Sequence, residues 1–418
     1  MATHRAIVRE AGVSRIVRRE TPVPGPGEVL LAPEAVSLCG TDIQMLRGLR
    51  DDPSPVLGHE GACRVVAVGS GVTRVRPGDR VTVNPTHPGD PSFLLGHNVD
   101  GLFQERVLIA ASAVSAGLLV PIGEELGPAE ATLVEPLAVV DYAWECLVPR
   151  AGEHLVVIGA GLVGNLAAAR ARDLFSGTDT EDGLAVTLVH TNPAGRAWSE
   201  KAWADRGVQH TDLTDLTDLA DLPTATAPAA DAAAGTDAGA DRPVLVLVAT
   251  HRDRTVEALE LAHRRFGRAV RAVHVIGGVA PDARSAFHPG VDLAGVRAAN
   301  TGGPRPPHRV VWSDGRGTTT AFTGNRGVTG EALAAAAAEL GRQPERYGRL
   351  LTHRLGPEAG VDVMNRLVAG GRVVDGEVVV RLVIELAAEG TAEETVGGAA
   401  AEGTTAGTAT GTAEGAEA

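Results

Sequence analysis

The 418-residue chain is long enough for two domains, carries a formal net charge of −14, and is 44% hydrophobic but only 3% aromatic, so Val, Leu and Ala must fill its cores. Negative charge without a basic patch excludes a nucleic-acid binder, and no uninterrupted apolar run approaches the ~18 residues of a membrane helix. The opening MATHRAIVRE lacks a signal peptide's apolar core and Cys39, Cys63 and Cys146 are the only cysteines, so the expected location is cytoplasmic.

Residues 1–150 read as a β-rich module, in which EVLLAPEAV and GACRVVAVG are short strands bounded by the turns PVPGPGE and RPGDRV. The pattern then changes. HLVVIGAG is an apolar strand running into glycine, LVGNLAAARARDL an alanine-rich helix and AVTLVH a second strand. RPVLVLVAT and RAVRAVHVIGG repeat the theme around the helical DRTVEALELAHRRF. This alternation predicts an α/β domain with a doubly wound parallel sheet over 151–326. Inside it, 211–242 is an Ala/Thr/Asp-rich insertion opening on TDLTDLTDLADL, expected to be a mobile loop with at most a short helix. Residues 327–389 hold two helices, the phrase GRLLTHRLG and a closing strand, GEVVVRLVIEL. Residues 390–418 have almost nothing to bury and read as a disordered acidic tail.

Gly159-Ala-Gly161-Leu162-Val163-Gly164 fits G-x-G-x-x-G, with a strand before it and a helix after it. Gly159 permits the tight turn, Gly161 lets the backbone approach a pyrophosphate, and Gly164 allows close helix–strand packing. The second strand ends His190-Thr191-Asn192 with no acid at its tip and Arg196 shortly after, which favours the 2′-phosphate of NADP over the bare ribose of NAD.

A second set of residues has metal-ligand chemistry. Cys39 lies in a turn after a strand, His59 and Glu60 stand side by side before an apolar strand, and Glu135 opens a helix. Zinc takes such ligands, and a catalytic zinc keeps one position for water or substrate. A metalloprotease HExxH reading fails, because Cys63 stands where the second histidine is needed.

CGTD, GHEGA…VVAVGSGV…VRPGDRV, VEPLAVVDYA and VVIGAGLVGNLAA, in this order, resemble the zinc-dependent medium-chain alcohol dehydrogenase family. The resemblance is strong over about 25–190, fainter over 244–388, and absent from the insertion and tail. It implies a GroES-like β-rich catalytic domain and a Rossmann domain, a cleft between them, and a chain that returns to the first domain over 327–389. It further implies Cys39 and His59 as zinc ligands, Glu60 as a carboxylate that ligates or swings in, and Glu135 as the glutamate found at the metal in polyol and threonine dehydrogenases. Thr41 would pass the substrate's proton and Asp42 would support His59. The implied reaction moves a hydride between NAD(P) and a secondary alcohol or ketone, with a polyol, sugar or cyclitol favoured. Relatives are commonly dimers or tetramers joined through the Rossmann sheet edge, so a homo-oligomer is expected.

The sequence also departs from the family. No cysteine occurs in NPTHPGDPSFLLGHNVDGLFQERV, where many relatives hold a structural zinc, so one catalytic ion is expected. Gln44 stands where several relatives continue the proton relay with histidine, and Cys63 where glycine is usual. His87 and His97 read as loop histidines near the cleft mouth, and His353 as structural. The alternatives are a zinc-free quinone or enoyl reductase of the same superfamily and a non-catalytic nucleotide-binding protein.

Overall fold

The computed structural model describes residues 1–175, 184–212 and 242–386. The tail, and residues 213–241 of the expected insertion, lie outside the described residues.

His154–Ile158 is buried at every position, the signature of a strand covered by helices on both faces. It sits inside a seven-stranded sheet ordered Gln209–Asp212, Ala185–His190, His154–Ile158, Val244–Val248, Val270–Val275, Thr319–Gly324, Val310–Ser313. All neighbours are parallel except the last edge pair. The parallel strands thus run 3-2-1-4-5-6 in chain order, the Rossmann order, whose switch point falls between His154–Ile158 and Val244–Val248. Thr211 and Asp212 belong to the first of these strands, so the segment expected as insertion from 211 begins two residues later than its composition suggested.

The second large sheet, predominantly antiparallel, orders His353–Leu355, Leu382–Glu385, Val29–Ser37, Glu60–Val68, Arg80–Val83 and Leu119–Pro121, with Val107–Ile109 also paired to Val29–Ser37. Pro33 is tolerated mid-strand because the register shifts between Pro33 and Ala35 there. Residues from 353 to 385 therefore complete the sheet begun near the N-terminus. The closing segment GEVVVRLVIEL, expected as one strand, is not one. Glu377–Val378 pairs back on Val373–Val374, and the chain rejoins the sheet only at Leu382. Between them, Thr352 Oγ1 accepts the backbone N–H groups of Val380 and Arg381 at 3.0 and 3.3 Å, replacing ladder bonds.

Helix Val134–Leu147 is buried nearly all round and contributes to a core that also contains Leu155 and Leu188 of the Rossmann sheet. It carries Glu135 in its first turn. Among the described residues no helix is long and apolar enough to cross a membrane.

Candidate metal and dinucleotide site

Cys39 precedes helix Gly40–Leu46, and its N–H donates to Asp42 Oδ2 at 2.8 Å. The other oxygen, Asp42 Oδ1, accepts the Gly58 N–H at 3.3 Å and lies 3.7 Å from His59 Nδ1. One wholly buried carboxylate thus ties the cysteine turn to the histidine, the arrangement a supporting residue needs to fix ligand orientation. Glu60 opens strand Glu60–Val68 and accepts the Ser37 hydroxyl at 2.9 Å through Oε2. The buried guanidinium of Arg381 forms an ion pair with the same oxygen and donates through Nη1 to the Leu38 carbonyl at 2.8 Å.

The ligand atoms of Cys39, His59 and Glu60 all lie within 4.8 Å of one another. Burial pushes the Cys39 thiol up, opposed by the charge of Arg381, so the thiolate needs a further cation beside it. Thr41 Oγ1 and His59 Nδ1 are buried without a hydrogen-bond partner. Thiol, imidazole and carboxylate at this spacing, with unpartnered polar atoms beside them, fit a zinc ion. Glu135 lies outside the 4.8 Å set but lines the same cavity; burial raises its carboxyl and the nearby His59 opposes that rise.

The glycine loop borders the same cavity, of about 530 Å³. Gly159 has φ +105°, and a Cβ there would meet the Ala249 carbonyl oxygen at 2.6 Å; a Cβ on Gly164 would collide with the Gly159 carbonyl oxygen. Gly161 has no atom within 4 Å of where its Cβ would stand, which leaves room beside the helix Leu162–Leu174 that begins with Leu162 and Val163. Open space at a helix N-terminus fits a pyrophosphate.

Thr191 and Asn192 reach the cavity wall, although the Asn192 side chain is occupied in capping helix Pro193–Ala202, accepting the Gly195 N–H at 2.6 Å. Arg196 does not line the cavity: Nε is held by Glu200 and Nη1 by Asp212, both at 2.8 Å. His97, a loop residue on the cavity wall, is buried with its ring centroid 5.0 Å from that of His59, and burial followed by the His59 charge brings it down to about 3. His87 remains a partly exposed loop residue beside Phe93. Cys63 and His353 are buried in strands.

Sequence reasoning missed Arg381, whose one signal was a lone charge inside an apolar run. It also missed His251, whose Nδ1 is 3.3 Å from Gln44 Nε2 and whose Nε2 accepts from Arg372 Nη2 at 3.3 Å.

Residues 25–119 match the alcohol dehydrogenase GroES-like domain. An alcohol dehydrogenase of Rhizobium meliloti is 32% identical over 48% of this chain and 61% of its own length. A glucose 1-dehydrogenase of Thermoproteus tenax is 35% identical over 45% and 58%, respectively. Over residues 25–119 the chain carries an alcohol dehydrogenase GroES-like domain, and it is similar to alcohol and sugar dehydrogenases over nearly half its length. It spans less than two thirds of the length of these curated relatives. Solved structures share its fold. A zinc-binding dehydrogenase of Sinorhizobium meliloti bound to NADP superposes with TM-score 0.64 at 20% identity, over 92% of this chain and all of the other. Galactitol-1-phosphate dehydrogenase of Escherichia coli gives 0.63 at 18% identity, over 91% and 99%.

Proposed function

We propose that the chain is a zinc-dependent oxidoreductase that moves a hydride between NAD(P) and a secondary alcohol or its ketone, with a polyol, sugar or cyclitol as substrate. The observation that carries this reading is the convergence of Cys39, His59 and Glu60 on one wall of a cavity that the Gly159–Gly164 loop also borders. Cys39 and His59 would hold the ion, Glu60 would ligate it directly or swing in, and Glu135, on the same cavity, would supply a further carboxylate at the metal. When bound, zinc supplies Lewis acidity toward the substrate oxygen and the nicotinamide supplies the two-electron acceptor. Asp42 keeps Cys39 and His59 in place, and the buried Thr41 hydroxyl would relay the proton of the substrate hydroxyl, giving up its own as it receives it. Arg196 recognises a 2′-phosphate by exchanging its Asp212 carboxylate for the more highly charged phosphate, which makes NADP the proposed dinucleotide.

The test is turnover of the purified full chain with NAD and with NADP against polyols, aminocyclitols and ketones, with zinc assayed before and after chelation. About one zinc per chain and loss of turnover on chelation are expected. Undiminished turnover without zinc would identify the reductase alternative, and dinucleotide binding without any turnover a binding protein. Sedimentation of the same preparation reads the proposed homo-oligomer, for which the exposed edge strand Val310–Ser313 is the proposed seam.

His251 takes the place of the relay histidine that Gln44 displaced. It stands at the cavity wall beside Gln44 and Arg372, where it would take up the proton that Thr41 passes on, although burial and the Arg372 charge hold its imidazole below the usual range. His251→Asn is expected to lower kcat roughly 10²-fold, the lower end of what a positioned proton acceptor gives, with partial rescue by added imidazole. An unchanged kcat would assign proton exit to water.

A further inference from the structure

Six arginines line the cavity of a chain whose net charge is −14: Arg50, Arg254, Arg297, Arg326, Arg372 and Arg381. Carboxylates match three of them, Glu60 for Arg381, Glu257 for Arg254 at 2.9 Å, and Asp52 for Arg50 at 2.7 Å. Arg297, Arg326 and Arg372 have no carboxylate within ion-pair distance among the described residues. Arg326 and Arg372 are exposed, whereas Arg297 is half-buried with a buried, unpartnered Nε, and a cation so placed is costly unless an anion faces it.

Arg372 is accounted for by the dinucleotide. It bonds His251, which follows the Ala249 whose carbonyl abuts Gly159, so it stands on the side where a pyrophosphate would pass. Arg297 and Arg326 are elsewhere. Arg297, on helix Leu293–Ala298, donates through Nη2 to the Ile276 carbonyl at 3.0 Å, and its Nε is buried without a partner. Arg326 follows the tip of strand Thr319–Gly324, and the adjacent Gly327 is packed so that a Cβ would meet Thr86 Oγ1 at 2.5 Å. These positions lie at the fifth and sixth parallel strands, in the half of the sheet away from the glycine loop.

Two observations join this group to the metal end. Burial, then the charges of Arg326, Arg50 and Arg252, brings the Arg297 guanidinium down to about 10. Arg50 also acts on His97, whose ring lies 5.0 Å from that of His59. Arg50, Arg297 and Arg326 line the cavity that Cys39, His59 and Glu60 also line, and Asp52 is already committed to Arg50.

We propose that Arg297 and Arg326, flanked by Arg50, form an anion subsite at the substrate end of the cavity, so that the alcohol turned over carries a phosphate monoester or a carboxylate. The inference rests on the dehydrogenase reading for which end of the cavity is the substrate's. Guanidinium groups suit both anions, since their paired N–H donors match planar and tetrahedral oxyanions alike.

The experiment is calorimetric binding of sorbitol, sorbitol 6-phosphate and gluconate to the full chain with zinc and saturating NADP, alongside turnover of each. At least one anion is expected to bind about 10- to 100-fold tighter than sorbitol, the worth of one or two charge-assisted hydrogen bonds. Arg297→Gln and Arg326→Gln should each erase most of that advantage and leave sorbitol within about 2-fold, whereas Arg372→Gln should preserve it. Arg326 is exposed on its loop, so its variant reads the subsite even where Arg297→Gln fails to fold. Preference for the phosphate or for gluconate tells the two sources apart. The proposal is overturned if sorbitol binds as tightly as both anions, if none of the three binds, or if the advantage survives in both variants or is lost only with Arg372→Gln. Anion discrimination without turnover would sustain the subsite and sink the dehydrogenase reading.

Discussion

Cys39→Ser is expected to empty the metal site and to lower kcat by about 10³-fold, the rate equivalent of the several kcal/mol that a Lewis-acidic ion contributes. Zinc binds the thiolate, and a serine hydroxyl keeps its proton at neutral pH, so the exchange removes the soft anion from the ligand set. Sulfur and oxygen differ little in shape at this position, and Asp42 holds residue 39 through its backbone N–H, so the turn survives the change. Zinc analysis and steady-state kinetics of the variant read the two effects separately. Cys63→Ser is the control. Its thiol is wholly buried in strand Glu60–Val68, where a hydroxyl without a partner costs about 1–3 kcal/mol, so stability should fall while zinc stays bound. If Cys39→Ser retained zinc and full turnover, the metal reading would fail, and with it the roles given to His59 and Glu60.

The parts of this site that were legible in the sequence are those whose cause is local. His154–Ile158 announces itself as an apolar run, and the glycines at 159, 161 and 164 are demanded by a turn and a close approach within a few residues. Cys39 and His59 are legible because their surrounding motifs are. What escaped depends on partners far along the chain. Nothing near Arg196 says that Asp212, at the tip of the neighbouring strand, will hold it; composition had assigned Asp212 to the insertion. His97 reads as a loop residue until the fold brings it against His59. The segment GEVVVRLVIEL is apolar enough to read as one strand, but an apolar run cannot reveal that the Thr352 hydroxyl will take two of its N–H groups and turn Arg381 inward. The arginines at the far end of the cavity come from separate segments, so no local pattern gathers them.

Arg381→Met should be the most destabilising single change at the site. The Glu60 and Arg381 side chains are 3% and 4% exposed, so each charge depends on the other. Methionine approximates the length of the arginine stem but leaves Glu60 as a buried carboxylate whose one hydrogen bond among the described residues comes from the Ser37 hydroxyl. Breaking a buried pair from one side costs about 3–5 kcal/mol, which corresponds to a fall of roughly 10 °C in the midpoint of metal-free protein. Zinc should recover much of the loss, because the freed carboxylate can then compensate the ion's charge; the zinc-induced rise in Tm is therefore expected to be larger in the variant than in the wild type. The pairing of Arg381→Met with Glu60→Gln separates this account from simple loss of packing. Removing both charges should restore most of the metal-free stability, since the cost lies in the orphaned carboxylate and not in the missing guanidinium. The zinc-induced rise should then shrink, because the amide is a poor ligand beside the carboxylate it replaces. Thermal unfolding of the wild type, both single variants and the double variant, each with zinc and with chelator, completes the cycle. A double variant as unstable as Arg381→Met would show that Arg381 acts chiefly through its bond to the Leu38 carbonyl, holding the returning chain to the cysteine turn.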